Sequence, residues 1–325
     1  MALVKTASLR QMATFQVVAR LGSVSLAAEA LHLSQSAVSI QIASLESSAG
    51  APLIERTGRG VRLTEAGELL VVYADRLLNL WNEASDEMST FLGAFSGTLR
   101  VGAVTTAEYW LPRLLVTFIN ANPRVKLRLL FGNREEVVRG LAGQEVDIAV
   151  MGHPPEELRV VSSTFAKNPM AFVAAPHHPL MAEPMLTMAA LAQAPLLVRE
   201  RGSGTRNTVE RLFRDAGMRP RIGSELSSNE AIKQMCAAGF GPAFLSLQTC
   251  ALEIDAGLMK VMPMANNPIE REWFMVRSAS RSAPQVVLAF EQHLRDHGQA
   301  EIGRHVLKSG ALLLQPLQPL QPPVA

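Results

Sequence analysis

The chain has 325 residues, 48% of them hydrophobic and 18% charged, with a net charge of +2. That is about twice a typical domain of roughly 150 residues, so at least two cores are expected, while no apolar stretch approaches the roughly 18 residues that a membrane span needs. The two cysteines, Cys236 and Cys250, lack paired spacing and neighbouring histidines, which excludes a disulfide scaffold and a zinc finger and makes both small core hydrophobes.

Nothing at the start of the chain reads as an export signal, so the expected location is the cytoplasm, with no membrane partner. The small net charge conceals an uneven distribution. Residues 1–64 hold six basic against three acidic side chains, a net +3, and residues 65–96 hold one against six, a net −5. This asymmetry suits a polyanion-binding head followed by a different kind of segment.

Leu9, Met12, Phe15, Val18 and Ala19 recur at three- and four-residue steps and predict a first helix with one buried stripe. A short second helix follows at 26–31, capped by Ser23 or Ser25. After a turn at Leu33, Ser34 caps a third helix over 35–48 that faces Val38, Ile42 and Leu45 inward. Ser34, Gln35, Ser36, Ser39 and Gln41 are then left outside, where glutamine can read a base edge and hydroxyls suit phosphates. Two extended pieces around Thr57-Gly58-Arg59-Gly60 make a wing, whose Arg56, Arg59 and Arg62 would lie along a DNA backbone.

Within Leu9 to Gly67 the run AAEALHLSQSAVSIQI, with Ala27, Ala28, Leu31, Ser34, Gln35, Ala37, Val38, Ser39 and, just beyond it, Leu45, resembles the winged helix-turn-helix head of the LysR-type transcriptional regulators. Ser36 stands where many members have proline, and Ile40 where a basic residue is common. Thr64 then caps a long helix through residue 95, with Glu65 and Glu68 favoured in its first turn. Ala66, Leu70, Tyr73, Leu77, Leu80, Ala84 and Phe91 form a coiled-coil-like seam. A second copy of the chain is the expected partner. Such a homodimer would read an interrupted inverted repeat in double-stranded DNA.

From residue 97 strands and helices alternate, which implies parallel, doubly wound sheets. One series runs through TLRVGAV, VKLRLLFG and VDIAVMG. A second begins near Asn168 with MAFVAAP, PLLVRE, IGSELSS and GPAFLSLQ, and REWFMVRS returns to the first. The fold class expected is therefore mixed: an α-helical winged helix-turn-helix head over 1–64, a linker helix over 65–95, and an α/β two-lobed effector domain over 96–303 that resembles periplasmic binding proteins. Lobe I takes 96–166 and 268–303, lobe II takes 167–267, and the proline-rich end, 304–325, is expected to be disordered.

Ligands in such folds sit at strand C-terminal ends and helix N-termini. That rule selects Thr105, Thr106, Asn133, Arg134 and Gly152 in lobe I, and Ser203, Thr205, Arg206, Ser228 and Asn229 in lobe II, a set suited to a small anion. The words GNRE and GSGTR…SNEAIKQ resemble the LysR-type branch that activates Calvin–Benson–Bassham carbon-fixation operons. The resemblance implies a phosphorylated metabolite or NADPH as effector rather than a bound cofactor, and a homotetramer, with RNA polymerase as a further partner. Glu108, His153 and Pro242 depart from the branch, the first two removing positive charge near the cleft, where a multiply phosphorylated effector would bind worse; the alternative is therefore a LysR-type regulator with a different inducer. An enzyme is disfavoured: Ser203 has no histidine beside it, and His177-His178 lack acid or cysteine companions for a metal.

Overall fold

The computed structural model describes residues 7–57, 60–91, 96–280 and 282–303. The proline-rich end and the wing-tip residues Gly58 and Arg59 lie outside the described residues. The chain divides into two units near residue 97.

The first unit opens with α1 (Leu9–Leu21), where the Ser8 hydroxyl and the Gln11 side chain exchange hydrogen bonds with each other's backbone amides and fix the helix start. Gly22 ends it in the left-handed region at φ 60°. Ser23 caps α2 (Val24–Ala30) and Ser34 caps α3 (Gln35–Ala49). Phe15, Val18, Ala27, Val38, Ile42 and Leu45 close the small core between them. The wing pairs β1 (Ile54–Thr57) with β2 (Gly60–Leu63) in antiparallel register. Glu46 holds its base, accepting from the Leu53 and Ile54 amides at 2.8 and 3.2 Å.

Helix α4 (Glu65–Phe91) begins on Thr64, whose hydroxyl accepts from the Gly67 amide and donates to the Pro52 carbonyl. Here the seam differs from expectation. Ala66 and Leu70 pack into the head core, together with Val71, because the first turns of α4 lie against the helix-turn-helix. The exposed apolar stripe is instead Leu69, Val72, Tyr73, Leu77, Leu80, Trp81 and Met88. The Phe91 side chain is outside the described set.

The second unit contains two five-stranded sheets. The first has the order β4 (Val125–Gly132), β3 (Gly97–Val104), β5 (Ile148–Met151), β12 (Glu272–Ser278), β6 (Val160–Lys167). The second has the order β11 (Lys260–Val261), β7 (Met170–Ala174), β10 (Ala243–Ser246), β8 (Leu196–Arg199), β9 (Ile222–Leu226). The helices around them are α5 (Leu111–Ala121), α6 (Arg134–Ala142), α7 (Met188–Gln193), α8 (Gly204–Asp215), α9 (Asn229–Ala237), α10 (Ala251–Asp255) and α11 (Gln285–Gly303).

The sheets are mixed, which corrects the all-parallel expectation. β3 and β5 are parallel, but β12 runs antiparallel to both β5 and β6, and β7 runs antiparallel to β10 and β11. The cause is the double crossover: a chain that leaves one lobe along β6 and returns along β12 must traverse the first sheet in opposite directions. The two crossover segments bond to each other, the Asn168 amide donating to the Arg271 carbonyl at 2.7 Å and Met170 exchanging bonds with Ile269. Lobe I is anchored by Trp110, fully buried edge-on against Trp273 at 5.0 Å.

Close backbone approach makes Gly67 indispensable: a Cβ there would lie 2.0 Å from the Leu53 carbonyl oxygen. Gly67→Ala is expected to lower the stability of the head by about 2 kcal/mol through overpacking. Calorimetric unfolding should show an earlier transition than the parent protein, and an unchanged thermogram would contradict this packing.

Candidate functional site

In the head, the residues expected to meet DNA divide into two groups. Gln35 and Ser36 are exposed at the start of α3, and Ser39 is half-buried. The Ser34 hydroxyl accepts from the Ala37 amide at 3.1 Å and lies 2.9 Å from Ser36 Oγ. Gln41 departs from the outer face assigned to it: its carboxamide oxygen accepts from the buried Thr14 hydroxyl at 2.6 Å, so it braces α1 against α3. On the wing, Arg56 is exposed with no carboxylate partner among the described residues, whereas Arg62 pairs with Glu55 across the hairpin. Arg59 is outside the described residues.

In the second unit a cavity of about 50 Å³ lies between the lobes. Thr105, Thr106, Asn133, Arg134, Gly152, Ser203 and Thr205 all line it, as the strand-end rule predicts. Thr105 and Thr106 open a short 3-10 turn directly after β3. Ser203 precedes α8 and makes no capping bond, which leaves its hydroxyl and the first amides of that helix for a ligand.

Three expected residues do not line the cavity. Arg206 is turned about 100° around α8 from Thr205 and is buried against Glu210, Glu225 and the Arg199 carbonyl at 2.7, 2.7 and 3.0 Å. Ser228 is a plain helix cap, accepting from the Ala231 amide. Asn229 accepts from Arg199 Nη1 at 2.6 Å and so supports the site from behind.

Sequence reasoning missed Arg199 and Arg271. Arg199 ends β8 with its side chain almost wholly buried; it donates to both Glu200 carboxylate oxygens, to Asn229, and across the lobes to Thr105 Oγ1 at 3.1 Å. Because that bond uses an oxygen lone pair of Thr105, the hydroxyl hydrogen is free to donate into the cleft. Arg271 is the contrasting cation. It donates to Thr208 Oγ1 at 2.8 Å and to the Gly152 carbonyl at 3.3 Å, with no carboxylate within salt-bridge reach among the described residues. Burial, and then the charge of Arg211, lower its pKa. Arg134, by comparison, is held by Glu157 at 3.1 Å, which lowers that carboxyl's pKa. The one signal in the sequence was position: a basic residue ending the apolar run LLVR and another inside a crossover.

A second set of contacts joins the lobes beside the cavity. The Tyr109 hydroxyl donates to Glu230 at 2.6 Å. Lys233, buried at its ammonium, bonds Glu230 and Glu253 at 2.7 and 2.9 Å and sits 4.8 Å from the Tyr109 ring centre. Burial and this acidic neighbourhood push the Tyr109 phenol far up. Glu108 is exposed and does not line the cavity; burial raises its pKa, opposed by Arg199 and assisted by Glu230.

Both cysteines are buried, and burial pushes each thiol up to about 12, so both are protonated at neutral pH. Among the described residues no group of histidine, cysteine and acidic side chains could hold a metal, and no helix is long and apolar enough to cross a membrane. Arg199→Met strands Glu200 and Asn229 without their cation and is expected to cost about 3 kcal/mol. Denaturant unfolding of the ligand-free protein measures this, and a loss below experimental error would remove Arg199 from the support of the cleft.

The family described as "Bacterial regulatory helix-turn-helix protein, lysR family" matches residues 9–68, and "LysR substrate binding domain" matches residues 93–299. The HTH-type transcriptional regulator CfxR of Cupriavidus necator is 38% identical over 297 residues, covering 91% of this chain and 94% of that protein. CbbR of Rhodospirillum rubrum is 40% identical over 285 residues, covering 87% and 95%. Among solved structures, the CcmR regulatory domain of Synechocystis in complex with 2-PG matches with a TM-score of 0.58 at 33% identity, covering 61% of this chain and 96% of that one. Full-length CbnR complexed with its target DNA shares the fold, with a TM-score of 0.67 at 23% identity over 89% of this chain and 99% of that one. With a DNA-binding head and a small-molecule-binding domain both matched, the chain belongs to the LysR family of transcriptional regulators.

Proposed function

We propose that this regulator activates carbon-fixation operons in response to a small phosphorylated acid bound between the lobes. The observation that carries the reading is Arg271, a half-buried guanidinium with no carboxylate within salt-bridge reach among the described residues, which lines the same cavity as Thr106, Ser203 and the N-terminus of α8. Such a site is short of negative charge, and a phosphate or carboxylate supplies it with charge-assisted bonds. Relatives named as RuBisCO operon regulators and as the activator CmpR support the target and its sign, and the 2-PG complex of CcmR supports the ligand class.

The division of labour follows the elements. Residues 1–64 bind DNA, with Gln35, Ser36 and Ser39 at base edges and Arg56, Arg59 and Arg62 along phosphates. Residues 65–95 pair two copies through the stripe from Leu69 to Met88. Residues 96–303 bind the effector. Two dimers form a tetramer on an interrupted inverted repeat whose half-sites lie about one helical turn, or a multiple of it, apart, and RNA polymerase is engaged from there. The effector acts by binding one arrangement of the lobes better than the other, because only differential affinity can shift a population.

Thermal denaturation tests the cleft directly. A ligand at about a hundred times its dissociation constant adds about 2.7 kcal/mol, so 2-PG should raise the midpoint while unphosphorylated carboxylates and NADPH serve as comparators. Thr106→Phe fills the cavity and should abolish the shift while leaving DNA affinity intact; a retained shift would move the ligand elsewhere. On the DNA side, Arg56→Ala should weaken binding to every sequence and reduce the log–log salt slope by about 1. Identical slopes would remove Arg56 from the backbone contacts.

A further inference from the structure

The inner cavity, about 50 Å³, has room for roughly four water molecules, less than a phosphorylated acid needs. It adjoins a wider hollow of about 250 Å³ at the mouth of the cleft, bounded by Arg134, His153, Arg211 and Arg271. An effector that reaches the inner cavity must therefore meet the lobes further apart than they stand here, and whatever holds them together sets how often it can enter. The Arg199–Thr105 bond belongs to the cavity wall, and the Glu135 amide reaches the Gly202 carbonyl at 3.3 Å. Tyr109 is different. It lies off the cavity wall, at the far end of the 3-10 turn that begins with Thr105 and Thr106, and its hydroxyl crosses to Glu230 at 2.6 Å. Its partners are fixed to lobe II. Glu230 follows Asn229, which holds Arg199, and Lys233 grips Glu230 at 2.7 Å and Glu253 at 2.9 Å. The Lys233 side chain is almost wholly buried, and Glu253 already keeps one buried oxygen with no hydrogen-bond partner among the described residues. An ammonium that followed the turn outward would leave that acid buried and unpaired, so Lys233 stays. The contacts that break when the lobes part are then those of Tyr109, its hydroxyl on Glu230 and its ring face 4.8 Å from the Lys233 ammonium. Burial, and then the bond to Glu230, push the phenol's pKa far up, so the donor is present at any physiological pH.

Resting on the inner anion reading above, we propose that Tyr109 is a latch between the lobes: a positioning residue that touches no ligand, holds the empty domain closed on Glu230 and Lys233, and so sets the rate at which the effector enters. The hydroxyl favours only the closed arrangement. Its removal raises the open fraction, and a ligand that enters through the open arrangement associates faster in proportion. Because the turn that carries the latch also carries Thr105 and Thr106, opening at Tyr109 moves one wall of the cavity away from the other.

Hydrogen exchange and stopped-flow binding of 2-PG, both on the full chain, test the latch with Tyr109→Phe, which keeps the ring, and Glu230→Gln, which keeps an acceptor. In the ligand-free protein, Tyr109→Phe should speed exchange in the turn from Thr105 to Trp110 and at the start of α9 about fivefold, the size of one hydrogen bond to a partly solvated carboxylate. The amides of β12 and α11 should keep their parent rates, which shows that the variant is folded. 2-PG should associate about fivefold faster with Tyr109→Phe, and Glu230→Gln should fall between the two. Parent-like exchange in the turn, or an unchanged association rate where exchange has accelerated, would overturn the latch. Acceleration that spreads to β12 and α11 would overturn it as well, since it marks a general loss of stability. If 2-PG binds neither parent nor variant, the inner anion site is overturned instead, and the exchange rates decide the latch by themselves.

Discussion

The Arg199 guanidinium is the constraint on which the cleft depends. It closes three bonds within lobe II, to Glu200 and Asn229, and one across the cleft to Thr105. A buried arginine is tolerable only when its donors are met, and here they are met by groups from both lobes. The cost of parting the lobes therefore includes stranding one donor of a buried cation. That bond therefore favours the arrangement of the lobes seen here over any in which Thr105 and Arg199 part. Tyr109, Glu230 and Lys233 repeat the logic beside the cavity, where the phenol donates to a carboxylate already shared with an ammonium.

Arg271 stands at the opposite electrostatic extreme. Among the described residues, the buried cations of the effector domain, Arg100, Arg199, Arg206 and Lys233, each have a carboxylate within salt-bridge distance. Arg271 has a hydroxyl and a carbonyl. Structural arginines are neutralised by the fold, and one left for solvent or ligand to neutralise is what the proposed anion site is argued from. The contrast also explains why Arg206, chosen from the sequence beside Thr205, is not a ligand group: two carboxylates already hold it, and a third acid would find no charge to answer.

Much of the fold was legible because periodicity and caps act locally. Ser23 and Ser34 begin their helices where the hydroxyls predict, and Gly22 and Gly50 end α1 and α3 in the left-handed region. Strand-end placement was equally local, and Thr105, Thr106, Asn133, Arg134, Gly152, Ser203 and Thr205 all reach the cavity. What escaped depends on tertiary partners. Strand β6, VVSSTFAK, lies at the edge of its sheet with mostly solvated side chains, so it carries no apolar run to announce it. The parallel expectation failed because strand direction is set by the crossovers, which no local pattern encodes. Gln41 looked like a surface residue until Thr14, 27 positions earlier, supplied its partner.

The charge departures acquire a different meaning once their places are known. Glu108 is exposed and off the cavity wall, so it alters the field around Arg199 and Glu230 without lining the cavity beside Ser203. His153 lines both the inner cavity and the mouth, with its Nδ1 engaged by the Pro154 carbonyl at 2.8 Å. Pro242 costs nothing that the fold uses, since its carbonyl still accepts from Leu197 at 2.8 Å. His153 therefore shares the mouth of the cleft with Arg211 and Arg271, where its ring offers one directed hydrogen bond beside two guanidinium groups.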